Sequence, residues 1–518
     1  MKQKSFRHIL AMVLALAMVF CMVACSSDDD SEGSSKGSGN KGNGNTGNTN
    51  EGGSTSGVKM EQATELSDPD LRYVMIYNPK VYDERSYSNS TLTVGSFGSQ
   101  VDAGGGRGDG VQTEPEFTSI SQLEWTKYLA DNIQLEENRG DVMGVDYDEG
   151  DTQLFYYSSN GELGNRNQAE FTCQYAGEYC YIWTMDTISQ SVIEDLGEEF
   201  DENIYEEVSS LFGTPRFVGE TGKINILLYD MTGGLMGYFA LPDLFVKAEH
   251  KAAGLEGMTC NTGHAIINVN AQYLGRNSGA GLYSTMAHEL QHLINFSAYF
   301  DTTQGVWMNT WCNEAMSGYI EEKLYPGAIE EEGRFYSYNS SDLIRNGQSL
   351  YNFETSYFDI GVYGSVYYFS RYMEKLAGKN VFSDMMDYWR TSYSDTLSTA
   401  EALSQSVSKE VYREISNTID YSPLKLRFAS EDEEWMSKLC LDFYLNTLSD
   451  SRNVSDFDEI DQDALLYDSI DGAEIEGGGR VIVALSDDTF EIPEDSDEGL
   501  IYIGLDKNFE PITGFVYQ

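Results

Sequence analysis

Basic residues are scarce: 33 Lys and Arg stand against 84 Asp and Glu in 518 residues, a formal net charge of −51. Such acidity repels a phosphate backbone, which excludes nucleic acid as the partner, and it favours solubility at a wall or in a lumen. The apolar run Ile9–Ala24, preceded by Lys2, Lys4 and Arg7, is too short and wrongly flanked for a spanning helix and reads as a secretory signal. Cysteine is sparse. Of seven, Cys21 and Cys25 belong to that leading segment, and the odd remainder excludes complete intramolecular pairing, although Cys173 and Cys180 are expected opposite each other in a hairpin and able to bridge. Histidine is rarer still, with five in the chain, of which His8 lies in the leader. A chance pair of histidines at metal-ligand spacing is therefore improbable.

That spacing is present in His288-Glu289-Leu290-Gln291-His292. On a helix the two imidazoles sit at i and i+4 on one face, where they can hold a single Zn²⁺ while Glu289 reaches a metal-bound water. Leu282, Met286, Leu290, Leu293 and Ile294 form an apolar stripe beside that face, with Ser284 or Thr285 as candidate cap and Gly279 and Gly281 in the loop before it. A catalytic zinc takes three protein ligands and leaves a position open, so a third donor is needed. Glu314, 22 residues beyond His292, is that candidate, carried on an amphipathic run from about Trp307 to Leu324 whose small Ala315, Ser317 and Gly318 permit close helix approach. His250 and His264 lack ligand spacing to a neighbour and read as structural or surface residues, and Cys312 reads as a small buried hydrophobe.

The paired motifs, His288 to His292 and then Asn313-Glu314-Ala315, resemble the gluzincin zinc metallopeptidases. The local run Ala287 to Asn295 is similar to the hyicolysin-type peptidases, as are Phe200 to Tyr205, Gly213, Lys223 to Asp230 and Gly237-Tyr238-Phe239, over roughly residues 168 to 380. The resemblance implies an α+β zincin-type fold, a β-containing N-terminal half and a helical C-terminal half with the cleft between them. One position departs from the pattern. Thermolysin-like relatives follow the Asn-Glu-Ala-x-Ser run with an Asp that bonds a ligand histidine, whereas Ser317 is followed by Gly318 here. Another group must receive the imidazole N–H. Asn313, a backbone carbonyl and Glu321 are open candidates.

Chemically, zinc activates water and polarises the scissile carbonyl, and Glu289 moves the proton from water to the leaving amine. The resemblance further implies a Tyr or His that steadies the tetrahedral intermediate, with Tyr363 the first candidate and Tyr357 the second. It also implies an edge strand that pairs with an extended peptide substrate, and His264 to Asn270 is expected to supply it.

Residues 1–24 form the leader, whose end, Met22-Val23-Ala24-Cys25, resembles a bacterial lipobox. Cys25 would then be lipidated, tying the mature protein to the extracellular face of the membrane. Residues 25–59 are a Gly/Ser/Asn tether, residues 60–167 a β-rich accessory region, 168–445 the metallopeptidase domain and 446–518 a small β-rich module. Arg107-Gly108-Asp109 is read as coincidence. Asp146, Asp148 and Asp151 could offer Ca²⁺ hard oxygen ligands, though a solvated acidic turn explains them as well. Within the catalytic region a hairpin is expected at Phe171–Tyr175 and Glu178–Trp183, helices at Thr187–Phe212, Val362–Leu376 and Thr399–Ile415, and a strand at Ile224–Tyr229.

Two functions follow from these residues. One is a lipid-anchored, extracellular zinc endopeptidase acting on protein or peptide substrates. The other is an inactive surface binding protein or adhesin on the same scaffold. Retention of Glu289 beside all three ligands favours the enzyme.

Overall fold

The computed structural model describes residues 60–81, 90–96, 145–161, 166–215, 221–232, 235–253, 259–274, 280–302, 308–328, 345–352, 360–392, 397–448, 466–467, 472–512 and 514–518. Cys25, Arg107 to Asp109 and Tyr357 lie outside them. The fold is α+β, with two main sheets and a helical stretch that follows the second of them in sequence.

The first main sheet draws on both ends of the described chain. Strands β1 (Met60–Gln62) and β3 (Tyr73–Tyr77) join β12 (Arg480–Ala484), β14 (Ile501–Leu505) and β15 (Phe515–Tyr517) in the order β1-β15-β14-β3-β12. The short strands β2 (Glu65–Ser67), β4 (Leu92–Thr93), β11 (Glu474–Ile475) and β13 (Thr489–Glu491) form two small pairs, β2 with β13 and β4 with β11. Alternation along β3 explains the packing, since Val74 and Ile76 fill a local core while Met75 and Tyr77 join the main core of the molecule.

The second sheet positions the candidate site. It runs β5-β6-β7-β8-β10-β9, from β5 (Thr152–Tyr157), β6 (Asn167–Ala176), β7 (Cys180–Thr184), β8 (Ile224–Tyr229), β9 (Gly237–Phe239) and β10 (Ile266–Asn270). Strands β7, β8 and β10 are parallel, and β9 returns antiparallel to β10 at the edge. Both faces are buried, so β8 reads as a continuous apolar run: Ile224, Ile226 and Leu228 point into the main core, Leu227 and Tyr229 into an aromatic layer with Phe155, Phe171 and Trp183.

Between β7 and β8 the chain makes α1 (Gln190–Glu199), a π-helical turn at Phe200–Ile204 and α2 (Tyr205–Phe212). The π turn presents Asp201 to the β6–β7 hairpin, where its carboxylate accepts the N–H groups of Glu178 at 2.7 Å and Tyr179 at 2.9 Å. The hairpin therefore forms as expected, but its register does not join the cysteines. Cys173 pairs with Trp183 across an irregularity before Tyr175, and the two thiols face opposite sides of the sheet, Cys173 in the aromatic layer and Cys180 in the main core. Both are free.

The remaining helices are α3 (Lys247–Ala252), α4 (Ala280–Thr302), α5 (Thr310–Leu324), α6 (Ile360–Ala377), α7 (Val381–Thr391), α8 (Thr399–Ser406), α9 (Lys409–Ser416) and α10 (Glu431–Leu448). Where one helix is expected over Thr399–Ile415, the chain breaks after Ser406, because the Ser408 hydroxyl caps a new helix by accepting the Val411 N–H at 3.2 Å. Among the described residues no helix is long and apolar enough to cross a membrane.

Candidate metal centre

Helix α4 carries the His-Glu-x-x-His segment, lies on β9 and β10, and packs along α5. It starts earlier than the sequence suggests: Ser284 and Thr285 are not caps but lie inside it, their hydroxyls donating to the Gly281 carbonyl at 3.0 and 2.8 Å. Leu282, Met286, Leu290, Leu293 and Ile294 are all buried in the core, as a stripe beside the histidine face should be.

The two helices run antiparallel and meet through three rungs of polar side chains. Glu321 Oε1 meets His288 Nδ1 at 3.0 Å, Ser317 Oγ meets His292 Nδ1 at 3.2 Å, and the Asn295 amide donates to Asn313 Oδ1. Positions 313, 317 and 321 are four residues apart, so they share the face of α5 that looks at α4. Glu321 thus takes the place that Gly318 leaves vacant, one turn further along and on a longer arm. The role of Ser317 was hidden in a run that reads only as small residues. Its four-residue spacing from Asn313 and Glu321 was the available signal.

With the Nδ1 atoms turned outward, the Nε2 atoms converge. They lie 2.9 Å apart, His288 Nε2 is 3.5 Å from one Glu314 oxygen, and His292 Nε2 is 3.6 Å from the other. Tetrahedral zinc with bonds of about 2.0–2.1 Å needs donors about 3.3–3.4 Å apart, and these separations bracket that value. His288, His292 and Glu314 form the one such His, Cys or carboxylate cluster among the described residues. Both oxygens of Glu314 and both of Glu289 are buried with no hydrogen-bond partner. Buried carboxylates left in this state are costly unless a cation completes them, so the donor set fits a metal.

The electrostatics agree with the geometry. Burial pushes the Glu289 carboxyl up to about 8, opposed by the His288 imidazole and reinforced by the Glu314 and Glu321 carboxylates. Burial likewise raises Glu314. Burial alone would lower both imidazoles, and it does hold His292 well below its usual range, but the Glu321 and Glu314 carboxylates carry His288 well above.

The substrate edge differs from expectation. The strand Ile266–Asn270 within His264 to Asn270 is interior, flanked by β8 and β9, because β9 folds back over its outer side. Among the described residues the open edge on this side is β9. Asn270 holds the chain entering β9, accepting the Met231 N–H at 3.0 Å and donating to the Leu235 carbonyl at 2.6 Å. Gly237 brings this edge against Glu289: a Cβ there would stand 3.4 Å from Glu289 Cγ and only 2.6 Å from Thr285 Cγ2.

Other expectations resolve simply. Tyr363 is half-buried in the first turn of α6, the helix packed along α5. Cys312 lies in the core beside Met385. His250 is buried with Nε2 2.8 Å from the Pro242 carbonyl, and His264 meets Phe155 edge to face. Asp146 bonds the Tyr181 hydroxyl and pairs with Lys223 at 3.5 Å, while Asp151 accepts the Asp148 N–H at 2.9 Å. A Ca²⁺ role for these aspartates rests on residue type alone.

Over 251 residues this chain is 29% identical to Neutral metalloprotease ShpI from Staphylococcus hyicus, a match that takes in 46% of this chain and 53% of that protein. The chain is similar to a metallopeptidase. It spans about half the length of that curated relative, and its buried His288-His292-Glu314 cluster is the feature such an enzyme requires. No protein-family model matches. Among solved structures, the M60 catalytic domain of ZmpC from Clostridium perfringens in complex with the sialyl T antigen is 13% identical and covers 89% of this chain and 95% of that one at a TM-score of 0.26. A superposition that loose carries no argument about shared fold or ligand.

Proposed function

We propose that this protein is a zinc-dependent endopeptidase of hyicolysin-like, gluzincin type, held by an N-terminal lipid on the extracellular face of a bacterial membrane. The observation that carries the catalytic reading is the convergence of His288, His292 and Glu314 beside Glu289, with both carboxylates buried and lacking hydrogen-bond donors. His288, His292 and Glu314 hold the zinc, which when bound supplies a Lewis acid that polarises the scissile carbonyl and acidifies water.

The chain's own groups do the rest. An extended peptide adds to the open edge of β9, its backbone pairing fixing the scissile bond alongside Glu289. Glu289 accepts a proton from the attacking water and returns it to the amide nitrogen as the C–N bond breaks, a role suited to a carboxyl whose buried surroundings raise its proton affinity. Tyr363 is our candidate donor to the developing oxyanion. Glu321 and Ser317 keep the imidazoles aimed at the metal. Retention of every one of these groups weighs against an inactive binding protein.

The decisive experiment compares hydrolysis of unfolded protein by wild type and Glu289→Gln, with and without a chelator. Wild type should cleave and both controls should not; equal rates, or no cleavage by zinc-loaded wild type, would reject the enzyme. Anchoring rests on residues 1–25 and is tested by Cys25→Ser, which should release the protein from the membrane fraction and abolish lipid labelling.

A further inference from the structure

We propose that Gln291, which occupies a variable position of the His-Glu-x-x-His segment, is a positioning residue that fixes the tautomer of His292 through Ser317. The inference rests on the metal-centre reading and adds a part that the ligand motif does not specify. Gln291 is fully buried and faces α5 together with His288, three residues before it, and Asn295, four residues after it. Its Oε1 lies 2.5 Å from Ser317 Oγ, which in turn lies 3.2 Å from His292 Nδ1 and 3.2 Å from the Asn313 carbonyl.

A hydroxyl has one proton to give and two lone pairs to offer. With the nearer acceptor, Gln291 Oε1, taking that proton, the Ser317 oxygen is left to accept from His292 Nδ1–H. The imidazole is then the Nδ1–H tautomer, and the lone pair of Nε2 faces Glu314 and His288, the form a metal ligand must have. If Gln291 could not accept, the Ser317 proton would be shared between the Asn313 carbonyl and His292 Nδ1, both at 3.2 Å, and each donation to Nδ1 would place the ring proton on Nε2 and block the ligand position. His288 needs no such relay. Glu321 as a carboxylate can only accept, so it selects the Nδ1–H form directly. The two ligand histidines are thus held by unlike devices, one by a carboxylate and one by a neutral chain of amide and hydroxyl.

The test measures zinc affinity of the full-length chain by competition with a chromophoric chelator, alongside thermal unfolding of the metal-free protein. Gln291→Met keeps the volume and removes the acceptor, and it should weaken zinc binding about 10- to 100-fold. Ser317→Ala should do the same, and the double variant should be no weaker than the worse single, because both act through one relay. Gln291→Glu retains an accepting oxygen and should bind zinc within a few-fold of wild type. A folded Gln291→Met with unchanged affinity overturns the proposal, as do multiplicative single effects or a Gln291→Glu as weak as Gln291→Met. Should Gln291→Met not fold, Ser317→Ala and Gln291→Glu decide by the same criteria. Failure of wild type itself to bind zinc would reject the metal centre and this relay together, whereas tight binding by wild type and Gln291→Met alike rejects only the relay.

Discussion

Two clusters of buried charge in this protein look alike in composition and differ in how their charge is met. At Arg166 and Asp243, ionised groups with almost no exposed side-chain surface form a bidentate pair at 2.5 and 2.7 Å. Asn261 adds its backbone N–H to one Asp243 oxygen at 2.8 Å and its side-chain amide to the other at 3.2 Å, and Arg166 Nε reaches the Thr259 carbonyl at 2.8 Å. Every oxygen of that carboxylate has two donors. At the α4–α5 seam, Glu289 and Glu314 are buried as deeply, yet none of their four oxygens has a hydrogen-bond partner. Burial therefore does not separate structural from functional charge here. Between these carboxylates the difference is the deficit of donors, which fits a cation at the seam.

The strongest way to break this contrast is at Glu289. Glu289→Gln should lower turnover of an unfolded protein substrate by about 10²- to 10⁴-fold while zinc affinity stays near wild type, read by steady-state kinetics and chelator competition. Loss of zinc instead would make Glu289 a ligand and not a base. At the other cluster, Asp243→Ala leaves a buried guanidinium without its anion and should cost about 3–5 kcal/mol of stability in urea unfolding. A negligible change would show that the two clusters do not differ in the way described.

Metal-free protein offers a sharper comparison. Burial raises Glu289 from 4.5 to about 8, so across that interval the folded state retains a proton that the unfolded chain releases. Its contribution to stability is most favourable below about pH 4.5 and is lost as pH rises toward 8. In chelator, then, wild type should unfold at lower urea at pH 8 than at pH 5, and Glu289→Gln should lessen that difference. An unchanged slope would place the titration elsewhere. The smallest effect is expected at Gly237, where an added Cβ would lie 2.6 Å from Thr285 Cγ2 and 2.8 Å from the Asn268 carbonyl. Gly237→Ala should cost about 1–3 kcal/mol through overpacking, with a rise in KM as the β9 edge shifts, measured by unfolding and kinetics together.

Much of the site was legible before any coordinates. The i, i+4 histidines share a face as their spacing implies, because helical periodicity is local and survives in almost any tertiary setting, and Glu314 meets them from the neighbouring helix. Strand β8 matches its expected span, since a short apolar run between turn residues has few other uses. What failed was non-local. The interior position of Ile266–Asn270 depends on β9, three residues with too little pattern to announce an edge strand. The Cys173–Cys180 bridge failed on register: the turn sets Cys180 opposite Gly177, and the irregularity before Tyr175 turns the thiols to opposite faces. The pairing of β3 with β12 and β14 joins segments separated by some four hundred residues, and no local signal encodes it.

By itself, then, the sequence determined the donor chemistry and its helical carrier: residue types decide which atoms can bind a metal, and a 3.6-residue period decides which of them share a face. The packing of α4 against α5 decided which neighbours receive the second imidazole nitrogens, choosing Glu321 and Ser317 where sequence left several candidates. Packing of β9 against α4 decided which edge meets Glu289. Those choices depend on distances between elements that have no fixed relation along the chain, and only the assembled core sets them.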